Sequence, residues 1–313
     1  MANMQILQHS TVLPDEIDSL GHMNVRYYMQ RMGIANESLV EALQLDPDLL
    51  DTSFLRRADV YTRFRKEQFE GAQLHTRGGV IAVTDNSVQS YVEVVNGEEV
   101  AASFIVASQF IDTENRTVRE IPNAQAIAQH ANLLTLPDYA KPRSLSLTQE
   151  KPDISLSTLN SRIKDVLGGG MMSGRRETLI EEADVDPQGW LREDIELMFL
   201  PFAKMAQEDS SMQGPPVFET ADGKRVGWAV METRTASYGK PRLGANIAYF
   251  SADVHLAEKT RVSRRWALDS DSGELLGISD TVGLCLDLEA RKAVAWPEEL
   301  YAQIKTHLQP DLA

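Results

Sequence analysis

The chain of 313 residues is 42% hydrophobic and 25% charged, which is an ordinary globular composition with enough apolar material for two domains. Its formal net charge of −15 argues against a nucleic-acid partner, because such binding depends on Lys and Arg side chains that neutralise phosphates. The single cysteine excludes an intrachain disulfide. With no signal peptide or membrane-spanning segment predicted either, a cytoplasmic protein is expected.

The first half of the chain predicts a strand, a helix and then a run of strands. A strand over about 5–13 leads into an acidic turn, and a helix is predicted over about 25–45. Further strands are predicted over about 80–84, 88–95 and 100–111, separated by turn-forming residues, and a second helix over about 123–133. The polar, proline-containing stretch that follows has no periodicity, so it predicts an interdomain linker over 141–167.

The second half repeats this order. Placing Asp186 on Asp18 also puts Gly189 on Gly21, and both pairs lie between a predicted strand and a predicted helix. Further along, RLGANI resembles FEGAQL, and CLDLEARKAVAWP resembles FIDTENRTVREIP. The sequence therefore predicts two α+β domains, 1–140 and 168–313, each a long helix wrapped by a curved antiparallel sheet.

One turn in the first half gathers polar side chains that are suited to catalysis. The stretch EIDSLGHMN places a carboxylate, a glycine, an imidazole and an amide just before a helix, at Asp18, Gly21, His22 and Asn24. Residues of these types are also ordinary caps and turn formers, so each has a structural alternative. The functional interpretation depends on their conjunction within seven residues.

The strand, this turn and the helix bearing Tyr27 and Tyr28 resemble the 4-hydroxybenzoyl-CoA thioesterase branch of the hotdog-fold superfamily, with Glu16 where the family has Asp. The resemblance implies a tandem (double) hotdog fold and an acyl-CoA thioesterase, whose CoA is part of the substrate and which needs no cofactor or metal. It also implies that the two domains pair as a pseudo-dimer, with further homo-oligomers left open. Plant-type acyl-ACP thioesterases carry a similar turn, so that activity stays open, as does a non-catalytic acyl-CoA-binding hotdog protein.

The same resemblance assigns roles to the residues of the turn. It implies that Asp18 is the nucleophile or general base, and that Gly21 lets the backbone approach the substrate. His22 and Asn24 would hold the thioester or orient a water, and Tyr27 or Tyr28 would line the pocket. A helix N-terminus adds N–H groups and partial positive charge where an oxyanion develops.

The second copy of the turn keeps only part of this set. Asp186 and Gly189 are present, but Trp190 and Arg192 stand in place of the histidine and the asparagine. Two interpretations follow: Asp186 is a structural acid in a site that has decayed, or the second site is active with Arg192 as the polarising group.

A basic cluster supplies the candidate binding groups for CoA phosphates. Its members are Arg56, Arg57, Arg63, Arg65 and Lys66. The alternative is a solvated strand face. The histidines lack the spacing of metal ligands, and no G-x-S-x-G motif predicts a serine hydrolase. The expected partner is therefore a small-molecule thioester, without nucleic acid, membrane or metal.

Overall fold

The computed structural model describes residues 4–18, 20–147, 150–166, 173–192, 195–208, 217–220 and 222–313. The chain divides into two compact units, Met1–Arg143 and Ser144–Ala313. No helix among the described residues is long and apolar enough to cross a membrane.

The first unit is an antiparallel sheet with one long helix. Its elements are β1 (Gln5–Thr11), α1 (Val25–Glu41), α2 (Pro47–Thr52), β2 (Ser53–Phe64), β3 (Gln73–Val83), β4 (Ser87–Asn96), β5 (Glu99–Asp112) and α3 (Ala124–His130). The strands pair in the order β1-β3-β4-β5-β2. Each helix and strand with predicted bounds in this half overlaps an observed one, although β3 begins seven residues before the predicted strand. Helix α2 and strand β2 were not predicted, and β2 carries most of the basic cluster.

The long helix α1 packs its apolar stripe against the middle of this sheet. Met32, Ala35 and Leu39 are buried together with Val88 and Val92 of β4. Alternate residues of a strand share one face, so this side of β4 is apolar where it meets the helix. Burial of the stripe holds the N-terminus of α1 in a defined place next to the turn that precedes it.

The second unit repeats the strand order with shorter helices. Its elements are α4 (Leu156–Arg162), β6 (Gly174–Leu179), α5 (Leu200–Glu208), β7 (Phe218–Glu219), β8 (Arg225–Ser237), β9 (Asn246–Leu256), β10 (Thr260–Asp269), β11 (Leu275–Asp287), β12 (Lys292–Ala293) and α6 (Glu298–Thr306). The five principal strands pair in the order β8-β11-β10-β9-β6, with β7 beside β8 and β12 beside β11. Written from the other edge, the order is β6-β9-β10-β11-β8, and these strands correspond in turn to β1-β3-β4-β5-β2 of the first unit.

The helix that follows the second turn differs from the prediction. A long helix was expected directly after the turn, but the next described helical residues form a 3-10 turn, Leu197–Phe199, which leads into the short α5. In the first unit, the side chain of Asn24 accepts a hydrogen bond from the backbone of Arg26 and so starts α1 at once. Arg192 stands in the equivalent position, and an arginine side chain has no acceptor with which to cap a helix.

The predicted linker also differs from the structure. Helix α4 lies inside the range 141–167, and its Leu159 is fully buried with Phe250 and Trp266 in the core of the second unit. An apolar residue on this short helix covers one face of the sheet, so part of the supposed linker belongs to the second unit. The predicted domain start at residue 168 lies outside the described residues.

Candidate functional site

The turn before α1 is closed by backbone hydrogen bonds. The Asp18 N–H donates to the His22 carbonyl over 2.9 Å, and the Gly21 N–H donates to the Asp18 carbonyl over 3.0 Å. The Met23 N–H donates to Gln68 O over 2.7 Å, which ties the turn to the segment after β2. Gly21 has φ of +81°, which favours glycine, whereas a Cβ placed there would meet no atom within 4 Å. The backbone conformation, rather than crowding by the protein, therefore accounts for this glycine.

His22 lies between two carboxylates. Its Nδ1 is 3.4 Å from Asp18 Oδ2, and its Nε2 is 3.6 Å from Glu67 Oε1. The side chains of Asp18, His22 and Glu67 are 7%, 17% and 34% exposed, so the group runs from the interior toward solvent. The other Asp18 oxygen accepts a hydrogen bond from the Leu20 N–H over 2.9 Å. Asp18 thus stabilises the turn with one oxygen and faces the imidazole with the other.

Glu67 was not among the predicted site residues. It follows β2 and is distant from His22 in the sequence. The one feature of the neighbouring sequence that could have pointed to it is its position directly after the basic cluster. The hydrogen bond between Met23 and Gln68 brings this segment beside the turn. The imidazole contact therefore depends on a tertiary pairing that no local pattern encodes.

The other predicted residues of the turn hold the structure together. The Asn24 side chain is the N-cap of α1. Tyr27 Oη donates to the Asp15 carbonyl over 3.0 Å, and Tyr28 Oη donates to the Lys66 carbonyl over 3.1 Å. Tyr28 is buried, and burial raises the pKa of its phenol. Contact of these three side chains with a substrate stays a prediction.

A buried ion pair joins α1 to the segment that leads into the turn. Arg31 of α1 donates to Glu16 Oε2 over 2.8 Å, and both side chains are buried. The second unit has a related pair, in which Lys204 Nζ lies 2.8 Å from Asp184 Oδ2. Glu16, where the sequence departs from the expected Asp, is therefore a structural acid rather than part of the group around His22.

The two turns share their backbone but use their carboxylates differently. As in the first turn, Asp186 N donates to the Trp190 carbonyl and Gly189 N to the Asp186 carbonyl. In the second turn, Asp186 Oδ1 also accepts from the Trp190 N–H over 3.0 Å. The equivalent N–H of His22 donates to no residue that the structure describes. Only the first turn thus pairs an acid with an imidazole and leaves this N–H available for a carbonyl oxygen of a ligand.

Residues 12–129 match the family model of the thioesterase-like superfamily. The matched range lies within the first unit and covers most of it. The resemblance inferred from the turn is therefore confirmed. Among curated protein sequences, none matches this chain.

Solved structures extend the likeness over most of the chain. A 12:0-ACP thioesterase from Umbellularia californica has a TM-score of 0.63 at 9% identity, over 88% of this chain and 92% of its own. A protein assigned as an oleoyl thioesterase from Lactobacillus plantarum has a TM-score of 0.59 at 10% identity, over 90% and 97%. An acyl-ACP thioesterase from Bacteroides thetaiotaomicron has a TM-score of 0.57 at 11% identity, over 90% and 97%. Identities this low show the fold alone. Together with the family match, the fold supports a thioester hydrolase.

Part of the basic cluster in the first unit is bound to neighbouring backbone and carboxylate groups. Arg63 donates to the Tyr139 carbonyl over 3.0 Å, and Arg65 donates to the same oxygen and lies 5.3 Å from the tyrosine ring centre. Lys66 pairs with Glu99. Arg63 and Arg65 thus meet at one point on the surface, where they hold the segment that contains Tyr139.

The other two arginines of the cluster lie near the N-terminal end of β2. Arg56 donates to Gln109 Oε1 over 3.2 Å. Arg57 lies against Gly33 of α1, where an added Cβ would come within 3.2 Å of the guanidinium. The sequence cluster is therefore spread along the strand, and its role in binding CoA stays a prediction.

The remaining residues of the second turn are also accounted for. Arg242 stacks over the Trp190 ring, with its guanidinium carbon 4.0 Å from the ring centre. Arg192 is exposed and donates to the Ala183 carbonyl over 3.3 Å. Within the described residues, no three His, Cys, Asp or Glu side chains are grouped to hold a metal ion.

Proposed function

We propose that the chain is an acyl-CoA thioesterase with a tandem double hotdog layout, which hydrolyses an acyl-CoA to the free acid and CoA. The observation that carries this proposal is the placement of His22 between Asp18 and Glu67, at a turn with an available N–H, in a unit that the family model of the thioesterase-like superfamily matches. The layout is supported by the equal strand order of the two units and by their matching turns.

The proposed chemistry centres on Asp18. As general base, Asp18 takes a proton directly from a water that attacks the thioester carbonyl. As nucleophile, it forms an acyl anhydride with its carboxylate, which water then cleaves. In both routes the C–S bond breaks and CoA leaves as the thiol. Glu67 holds the far nitrogen of the imidazole, which keeps His22 oriented.

The oxyanion of the tetrahedral intermediate needs a preorganised donor. The His22 N–H and the positive end of α1 meet that need at the turn. The equivalent N–H in the second turn is taken by Asp186, and this supports the first unit as the catalytic one. The second unit then shares the fold and takes no part in catalysis.

The direct test is release of free thiol from a panel of short, branched, aromatic and long acyl-CoA thioesters. Turnover with at least one member is the expected result. Saturable binding without thiol release from any of them would contradict the proposal and favour the non-catalytic acyl-CoA-binding protein.

A second candidate is an acyl-ACP thioesterase, because two of the similar structures bear that name. Acyl carrier proteins are acidic and need a basic docking surface, which a net charge of −15 does not favour. One acyl group presented on both carriers distinguishes the two. A kcat/KM for the CoA thioester at least as high as that for the ACP thioester is expected, and a large preference for ACP would replace the first proposal with the second.

A further inference from the structure

The sheet face beneath α5 in the second unit carries charged and polar side chains, which are buried except for the partly exposed Arg265. They are Ser251 and Asp253 of β9 and Arg261, Ser263 and Arg265 of β10. In the first unit, the strand face beneath α1 is mostly apolar, and its buried Ser90 and Ser108 are uncharged and hydrogen-bonded to Asn36 of the helix. Buried polar groups need partners, so each member of this set requires an explanation.

The five residues fall into two groups. Arg261 donates to Asp253 Oδ2 over 3.0 Å, and Ser263 donates to Asp253 Oδ1 over 2.6 Å. This group is neutral and its acceptor oxygens are engaged. Arg265 and Ser251 lie directly opposite each other on neighbouring strands.

Arg265 lacks a carboxylate partner. Its guanidinium carbon lies 4.5 Å from the ring centre of Phe202 and 5.7 Å from that of Phe199. Its Nε is buried and has no hydrogen-bond partner among the described residues, and none of their carboxylates forms an ion pair with it. Burial, aided by the charge of Arg261, lowers its pKa to about 10, so it stays protonated at neutral pH. This positive charge thus has no carboxylate partner among the described residues, and the side chain that carries it is only partly buried.

Ser251 adds a second unpartnered group at the same place. It is 2% exposed, and its hydroxyl has no hydrogen-bond partner among the described residues. Directly opposed residues on antiparallel strands hold their Cβ atoms about 5 Å apart, so the two side chains start from neighbouring points on the same face of the sheet. Both groups donate hydrogen bonds.

We infer that Arg265 and Ser251 bind the carboxylate of an organic monoanion with an apolar body, in a site formed by elements of the second unit alone. A guanidinium fork matches the two oxygens of a carboxylate, and the serine donates to one of them. A single cation of this kind suits a singly charged group better than a phosphate dianion. The rings of Phe199 and Phe202 offer apolar surface to the rest of the molecule.

The experiment is calorimetric titration of the full-length protein with sodium octanoate, with octanamide as its uncharged analogue and with inorganic phosphate. It is done in the Asp18→Asn variant as well as in the natural sequence, because octanoate is also a product-like ligand for the first unit. Octanoate is expected to bind both proteins, octanamide at least tenfold more weakly, and phosphate without competing.

Arg265→Met should weaken octanoate binding at least tenfold and melt at the same temperature or higher, because it removes a partly buried charge that has no carboxylate partner among the described residues. Ser251→Ala should weaken binding a few-fold. Arg225→Met is the matched control, since it removes an exposed arginine of β8 with the same change in net charge, and its affinity should equal that of the natural sequence.

Unchanged octanoate affinity in Arg265→Met, or no octanoate binding at all, would overturn the inference. So would binding that disappears in Asp18→Asn but survives in Arg265→Met, an outcome that leaves the proposed thioesterase intact. Competition by phosphate would overturn the assignment to a carboxylate. If Arg265→Met does not fold, Arg265→Lys serves instead, because it keeps the charge but loses the fork. Full affinity in that variant would likewise contradict the site.

Discussion

The contact between His22 and Asp18 explains why a carboxylate and an imidazole stand four residues apart at the first turn. One oxygen of Asp18 completes the turn and the other faces the ring, so the same residue is both a structural element and a candidate base. In the second turn, the acid caps the backbone of Trp190 instead. The difference between the two copies therefore lies in what each acid faces.

Asp18→Asn tests the working acid. The change keeps size and most of the turn, but it removes the charge needed by a nucleophile or general base, so kcat should fall by a factor on the order of 10² or more. His22→Ala and Asn24→Ala should cost less, since each supplies orientation or one hydrogen bond. Steady-state thiol release measures the effect, and thermal melting checks the fold.

Asp186→Asn is the matched control and should leave turnover nearly intact. A dead Asp186→Asn beside an active Asp18→Asn would place the catalytic site in the second unit. Full activity in both variants would make Asp18 a turn former and remove the proposed mechanism.

Glu67→Gln tests the partner that the structure adds to the site. The amide still contacts Nε2 but carries no charge, so orientation of the imidazole weakens. We expect kcat/KM to fall about tenfold, which is less than the roughly 10²-fold low end of direct acid–base contributions because Glu67 acts only through His22. The exposed Glu70 lies three residues further on, and Glu70→Gln should leave kcat/KM unchanged. Equal rates for the two variants would show that Glu67 takes no part.

At the scale of elements, the site depends on how each helix is joined to its turn. Helix α1 begins at once because Asn24 caps it, and the buried pair of Arg31 and Glu16 fixes the helix to the turn. The second turn has Arg192 in place of the cap, and its helix begins later. Within the part of the chain that the structure describes, a helix therefore begins directly after the acid's turn only in the first unit.

Arg31→Met tests this support. It leaves the Glu16 carboxylate buried without its cation, so the free energy of unfolding should fall by about 3–5 kcal/mol. Lys204→Met breaks the related but more exposed pair with Asp184 and should cost less. Urea denaturation measures both. A smaller loss for Arg31→Met than for Lys204→Met would contradict a main supporting role for the buried pair.

At the scale of the whole molecule, a chain of net charge −15 must bind an anionic substrate through local basic groups. The cluster on and after β2 is the candidate, and in it Arg63 and Arg65 share the Tyr139 carbonyl. Because exposed phosphate contacts are screened by salt, the KM for acyl-CoA should rise with ionic strength.

Single Ala variants of the cluster test its role. Substitution of Arg56, Arg57, Arg63 and Arg65, one at a time, should raise KM more than it lowers kcat. Arg225→Ala in the second unit changes the net charge equally and should leave KM as it was. If all four substitutions leave KM unchanged, the cluster is a solvated face of the strand.

Most of the strands and helices of the first half, the repeated turn and the position of Asp18 beside His22 were predictable from the sequence alone. Each of these is local, because strand and helix periodicity, glycine at positive φ and capping chemistry involve residues within one or two turns of chain. The family resemblance depends on the same short stretch, and the family match covers the unit that contains it.

Tertiary structure decided the rest. Glu67 meets His22 only because the segment after β2 pairs with the turn, and Arg265 is left opposite Ser251 only by the register of β9 and β10. The burial of α4 likewise depends on which sheet face it covers. Contacts of this kind join residues far apart in the chain, and their partners are set by strand register and burial rather than by neighbouring residues.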